Sequence, residues 1–76
     1  MEEKVKKILS RVLDINIAII DDGTSAETIS NWDSLAHLNI IMSLEEAFSV
    51  EFDAEHISDM ISYTSIIAML VQLKRI

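Results

Sequence analysis

The segment that begins at Asp33 limits the fold most strongly, because it keeps helical spacing of apolar residues for about four turns without a Gly or Pro. Asp33 and Ser34 are residue types preferred at a helix N-terminus, and the pattern continues to about Phe48. The stripe expected to face the core consists of His37, Ile40, Ile41, Leu44, Ala47 and Phe48. The segment therefore predicts a central amphipathic helix.

The same helix carries a second apolar stripe, made of Leu35, Leu38 and Met42, about 100° to 150° around a helix of 3.6 residues per turn. A single buried face does not need both stripes. One interpretation is a wide core stripe on a helix packed among three others. The other is an exposed apolar strip with a polar and acidic rim, which is typical of a protein-contact surface. The rim residues are Asn39, Glu45 and Glu46.

Helices are also predicted on both sides of this segment. Residues 2–14 show an amphipathic stripe, opened by Glu2 and Glu3, as the helix dipole favours. Asp53 to Met60 predicts a short helix, with Ile57, Met60 and Ile61 facing inward. A last helix is expected to start near Thr64 or Ser65 and to end with Lys74 and Arg75, and its packing residues are Ile66, Ile67, Leu70, Val71 and Leu73.

The connections are interpreted as loops. The apolar residues of 15–20 alternate and could form a strand, but no second clear strand exists to pair with it, so we expect an extended loop that packs on the core. A turn at Asp22-Gly23 and a polar connection through Asn31 follow, and Val50-Glu51-Phe52 is a second packed loop. The sequence predicts an all-α domain over residues 1–76: a small four-helix bundle with three longer helices, one short helix and a long first loop.

The net charge and the length of the chain argue against several classes of function. The chain has 76 residues, with 6 Lys+Arg against 13 Asp+Glu and a formal net charge of −7, which argues against nucleic-acid binding. The longest apolar run, 66–71, is far below the roughly 20 residues that cross a bilayer. The start of the chain lacks the features of a signal peptide. We expect a cytoplasmic monomer.

The charge is also segregated along the chain, since none of its basic residues lies between Val12 and Leu73. The central segments should therefore present a negative surface, and an electrostatic partner should be basic. Solubility alone is the alternative explanation. The basic residues are Lys4, Lys6, Lys7, Arg11, Lys74 and Arg75.

The run Trp32-Asp33-Ser34-Leu35, followed by Leu38, Ile41-Met42 and Leu44-Glu45-Glu46-Ala47-Phe48, resembles the prosthetic-group attachment motif and second helix of acyl carrier proteins. The resemblance covers essentially the whole chain. It implies that Ser34 is esterified by 4′-phosphopantetheine from coenzyme A, and that the chain carries acyl or aminoacyl thioesters in lipid or specialised-metabolite synthesis. It also implies a carrier with no catalytic residues of its own.

The resemblance implies partners as well. They are a phosphopantetheinyl transferase and acyl-loading, condensing or acyl-transfer enzymes with basic docking surfaces. The expected contact residues are Asp33, Leu35, Leu38, Asn39, Met42, Glu45 and Glu46. Trp32 stands where carriers of fatty-acid synthesis often have Ala, and Ala36 and Asn39 stand where they often have acids, which favours a dedicated pathway such as a modified lipid, polyketide, peptide or surface glycan. An unmodified adaptor that only binds proteins is the alternative function.

Several residues have plainer interpretations. Trp32 is expected to pack at the helix entry as a hydrophobic staple, and Asp33 to cap the helix, a role compatible with partner contact. His37 lies one turn from Ser34, but a hydrolase pair is disfavoured because no oxyanion-hole turn accompanies them, so we expect a core-edge histidine. Asp21-Asp22-Gly23 does not form a calcium loop, because required ligand positions are apolar. His56 is expected at a solvated helix start. No metal site is predicted.

Overall fold

A computed structural model describes residues 1–74 and shows four helices. They are α1 (Glu2–Leu13), α2 (Ser34–Phe48), α3 (Ala54–Asp59) and α4 (Tyr63–Lys74). Helix α1 packs against both α2 and α4. The predicted all-α bundle of three longer helices and one short one, with a long first loop, is confirmed.

The core is built where the helical periodicity predicts it. The residues with no exposed surface are Val5, Leu9, Ile40, Leu44, Met60, Ile66 and Leu70. Trp32 and Phe52 are buried at its edge, and Phe48 packs against it while staying partly exposed. Helices α1 and α2 each end at a residue in the left-handed conformation, Asp14 and Ser49, both with φ of 54°. Each of these residues closes its helix through a backbone N–H.

The first loop differs from the predicted extended segment. Residues Ile17–Ile19 form a short 3-10 turn, which Asn16 caps by accepting a hydrogen bond from the Ala18 N–H (2.9 Å). Its isoleucines 17 and 19 are exposed, and only Ile20 of this segment is fully inside the core. The alternating pattern was misleading because the turn directs these side chains outward, whereas an extended chain would point every second one inward.

The later part of the first loop is fixed by pairing with the connection between α3 and α4. The N–H of Ala26 donates to the Ile61 carbonyl (2.8 Å), and the N–H of Tyr63 donates to the Thr24 carbonyl (2.9 Å). Thr24 is buried and its hydroxyl accepts from the Asp21 N–H (3.0 Å). Two segments almost forty positions apart are therefore held together next to the start of α2.

Three sequence predictions for the last part of the chain are wrong: the inward orientation of Ile61, the inward orientation of Val71 and the first residue of α4. Ile61 is 47% exposed, because its backbone pairs with the first loop and its side chain points outward. Val71 is 39% exposed on the outer side of α4. Helix α4 begins at Tyr63 and not at 64 or 65, because Ser62 and Ser65 cap it reciprocally: each backbone N–H donates to the other hydroxyl at 3.1 Å. Arg75, expected at its end, lies outside the described residues.

Candidate functional site

Ser34 is the first residue of α2 and is exposed. Asp33 precedes it in an extended conformation and caps the helix, since its Oδ1 accepts the Ala36 N–H at 2.8 Å. The Asp33 N–H in turn donates to the Asn31 carbonyl (3.0 Å). This tight entry fixes the backbone of Ser34 while its side chain stays open to solvent. The predicted cap role of Asp33 is confirmed.

Asn31, predicted from the sequence only as the end of a polar loop, anchors the site. Its side-chain Nδ2 donates to the carbonyl of Leu13, the last residue of α1, at 2.9 Å. That carbonyl belongs to the final turn of a helix, where carbonyls lack partners within the helix. Asn31 thus joins the end of α1 to the start of α2. A single Asn in a polar loop gives no local signal of this contact.

Trp32 and His37 form the inner wall of the site. The indole of Trp32 is buried and its ring stacks on the His37 ring, with 6.2 Å between centroids and 29° between planes. Trp32 Nε1 donates to His37 Nδ1 at 3.0 Å, and His37 Nε2 lies 2.8 Å from the Ile57 carbonyl. Because Nδ1 accepts, the proton is on Nε2, which donates to Ile57. The staple and the core-edge histidine are confirmed.

These contacts decide the question of a Ser34–His37 hydrolase pair. Both ring nitrogens of His37 are already engaged, one by Trp32 and one by the α3 backbone. A general base needs a ring nitrogen within hydrogen-bond reach of the hydroxyl that it deprotonates. His37 therefore joins α2 to α3 and does not activate Ser34.

The apolar strip of α2 is exposed, so the wide-core interpretation is wrong. Leu35 is 70% exposed, Leu38 53% and Met42 64%. Ile61, which comes from the α3–α4 connection, is half-exposed close to the same end, where it borders a shallow groove together with Trp32 and Ser34. A row of large apolar side chains on the surface of so small a protein is typical of protein-contact surfaces. This strip starts one residue after Ser34 and follows α2 away from it.

The rim of the strip is less uniform than the sequence predicted. Asn39 and Glu46 are exposed beside it. Glu45 is partly buried, and its Oε2 accepts the N–H of Phe52 at 2.9 Å. Glu45 therefore holds the loop after α2 against the helix, a role that its spacing on α2 did not indicate. Glu46, next to Met42, forms no ion pair with any residue of the described range 1–74.

Within residues 1–74, no group of three or more His, Asp or Glu side chains is arranged to hold a metal ion. Among the helices described, none is both long and apolar enough to cross a bilayer.

His56 completes a capping box at the start of α3, where its N–H donates to Asp53 Oδ1 at 2.9 Å.

Comparison with known proteins finds an acyl carrier protein among the relatives of this chain. The chain is 36% identical over 55 residues to the acyl carrier protein of Buchnera aphidicola subsp. Schizaphis graminum, a match that covers 72% of this chain and 70% of that protein. A stretch of that length within 76 residues always includes residues 22–55, and hence the whole of α2. No family model matches the chain.

Proposed function

This chain belongs to the acyl carrier protein family, and on that basis we propose that Ser34 is the attachment site of a 4′-phosphopantetheine arm. When bound, the arm supplies a thiol on which acyl or aminoacyl groups travel as thioesters between enzymes. The chain contains no Cys, so it has no thiol of its own for this purpose. Residues 1–76 then act as one carrier domain.

The observation that carries the proposal is the exposed Ser34 hydroxyl on a rigid helix start. Asp33 already caps the N–H of Ala36, whereas the N–H groups of Ser34 and Leu35 have no protein acceptor among residues 1–74. Such N–H groups and the positive end of the helix dipole favour a phosphate ester by about 0.3 to 1 kcal/mol at an exposed site. The Asp33 carboxylate offsets part of this gain. The residues present therefore fit the group.

The surface around Ser34 supports presentation to other proteins. The apolar strip of Leu35, Leu38 and Met42 starts beside the attachment residue, so an enzyme that covers it also holds the base of the arm. Asp33, Asn39, Glu45 and Glu46 add polar and negative groups for a basic docking surface. We expect these contacts with a phosphopantetheinyl transferase and with acyl-loading, condensing or acyl-transfer enzymes. Those partners perform the chemistry, and the chain acts as a cytoplasmic monomeric carrier.

The uncharged residues Ala36 and Asn39 support service in a dedicated pathway. They lie in the first half of α2, whose sequence contains no acidic residue after the cap Asp33. A partner with a strongly basic pocket would therefore gain little from this half of the helix. We propose a specialised lipid, polyketide, peptide or glycan pathway in preference to general fatty-acid synthesis.

Intact mass measurement tests the attachment. The chain is incubated with coenzyme A and a broad-specificity phosphopantetheinyl transferase, and wild type should gain one phosphopantetheine while Ser34→Ala gains none. Ser30→Ala, which removes another exposed serine just before the helix, is the matched control and should be modified like wild type. Modification of Ser34→Ala would show that the site is elsewhere. An unmodified wild type would favour the adaptor alternative.

A further inference from the structure

Three cations line one face of α1, on the side that meets α2. Lys4, Lys7 and Arg11 are spaced by three and four residues and are all exposed. At 1.5 Å of rise per residue they cover about 10 Å along the helix. We call these three residues the α1 basic stripe.

No residue of the stripe forms an ion pair within residues 1–74. Two of its members are nevertheless held in place by neutral groups of α2: the Arg11 guanidinium donates to Ser43 Oγ at 3.3 Å, and Lys4 Nζ lies 5.4 Å from the centre of the Phe48 ring. Among residues 1–74, the stripe thus presents three positive charges with which no carboxylate forms an ion pair. Such an arrangement attracts a negative group at short range.

The stripe borders a surface depression of about 400 Å³ between α1 and α2. On the α2 side this depression is lined by Ser43, Glu46 and Ala47, so it contains one carboxylate against three cations. Glu46 also borders the apolar strip through Met42. The depression therefore adjoins the surface proposed to dock partner enzymes, and its Ser43 lies nine residues, or about 14 Å, along α2 from Ser34.

We propose that the α1 basic stripe binds an acidic segment of a protein partner. This deepens the proposed function: a partner that covers the apolar strip meets negative charge at Glu46 and positive charge at the stripe beside it. Its docking surface must therefore carry cations and carboxylates in the matching order. This order of charges determines how the carrier is rotated on its partner, because a rotated complex would place like charges opposite each other.

A protein segment fits the stripe better than a polyanionic surface does. The chain carries a formal net charge of −7, so a membrane or a nucleic acid with many charges would repel the rest of the molecule. A short acidic segment supplies only the few charges that the stripe can neutralise. Since the Debye length is about 8 Å at physiological ionic strength, the stripe attracts an acidic segment mainly at short range, once the two proteins are close together.

The test uses a synthetic Ala-based helical peptide with Glu at positions i, i+4 and i+7, titrated into the ¹⁵N-labelled unmodified chain. We expect backbone amide shifts to concentrate in residues 4–11 and 43–47. Lys7→Glu/Arg11→Glu should weaken binding roughly 3- to 30-fold, as expected when two exposed charge pairs become repulsive. Because unmodified protein is used, the result does not depend on the fate of Ser34.

The matched control is the single change Lys6→Glu, compared with Lys7→Glu. The two changes alter the net charge equally, but Lys6 lies over the Tyr63 ring and outside the stripe, so Lys6→Glu should bind the peptide nearly as wild type does. If the double variant unfolds, Lys7→Gln/Arg11→Gln replaces it, and a smaller weakening is expected. Shifts spread over the whole surface, or equal weakening by Lys6→Glu and Lys7→Glu, would overturn the proposal. So would tighter binding to anionic lipid vesicles than to the peptide.

Discussion

Trp32 Nε1 donates a hydrogen bond to Nδ1 of His37 over 3.0 Å, between the residue before the α2 cap and the fourth residue of the helix. These are the two positions of a hydrophobic staple, here joined by a polar contact as well. The other ring nitrogen of His37 donates to the Ile57 carbonyl, so the same side chain also binds α3. The entry of α2, where Ser34 lies, is therefore coupled to the position of the short helix.

This relationship predicts a stability loss when His37 is removed. His37→Leu leaves the buried Trp32 N–H without an acceptor, and such a buried donor costs about 1 to 3 kcal/mol. Trp32→Phe/His37→Leu removes both polar groups, so part of that loss should be recovered relative to the sum of the single changes. Urea denaturation of the two single variants and the double variant measures the coupling. Additive free energies of unfolding would contradict it.

Leu44 and Met42 are predicted to differ sharply when truncated. Leu44 is fully buried, so Leu44→Ala should lower the free energy of unfolding by about 2 to 5 kcal/mol. Met42 is 64% exposed, and Met42→Ala should cost far less while weakening the binding of partner enzymes. Denaturant melts and binding assays separate the two effects. Equal stability losses would show that the strip is part of the core.

The neighbouring glutamates Glu45 and Glu46 are predicted to have separate effects. Glu45→Lys removes the acceptor of the Phe52 N–H and should cost about 1 to 3 kcal/mol, whereas Glu45→Gln keeps an acceptor oxygen and should cost less. Glu46→Lys should cost less than Glu45→Lys, because the side chain is exposed and its repulsion from the cations of α1 is screened by solvent. Thermal or urea melts compare the three variants. A loss as large for Glu46→Lys as for Glu45→Lys would be inconsistent with this assignment.

Glu46→Lys should instead slow association with the phosphopantetheinyl transferase and other basic partners. Opposite charges accelerate encounter, and added salt should reproduce part of the slowing in wild type because it shortens the Debye length from about 8 Å. Stopped-flow association rates across a salt series provide the measurement. If the wild-type and variant rates agree at low salt, Glu46 serves only solubility.

Tyr63 gives a pH-dependent prediction. Burial raises the pKa of its phenol above the ordinary value of 10.0, and the carboxylates of Glu2 and Asp22 raise this pKa further. The folded state therefore retains the proton when the unfolded state has lost it. This contribution to stability is complete below pH 10.0 and is lost as the pH rises through the folded-state pKa.

Comparison with Tyr63→Phe isolates this effect, since phenylalanine does not titrate. The stability of wild type relative to the variant should fall when urea melts are repeated above pH 10.0. Tyr63 is the only tyrosine, so the tyrosinate absorbance of the folded chain reports its titration directly. A folded-state pKa at or below 10.0 would refute the prediction.

The sequence by itself determined the helices, the attachment-site candidate and the two faces of α2. Periodicity specified α1 and α2 because each helix buries one side of a local repeat, and the backbone alone sets that repeat. The positions of Asp33 and Trp32 could also be predicted, since capping and stapling act within one turn of a helix. The sequence also showed that α2 has more apolar residues than one buried face can use, but only the structure decided that the second stripe is exposed and not part of a wide core.

Tertiary structure decided everything that depends on contacts between distant segments. The outward direction of Ile61 results from its backbone pairing with Ala26, and the role of Glu45 from a loop N–H that only the folded chain brings within reach. The anchoring of Asn31 to Leu13 likewise joins residues eighteen positions apart. Such hydrogen bonds satisfy polar groups that helix packing brings close together. The local sequence cannot predict these pairs, because it does not show which distant segments will be neighbours.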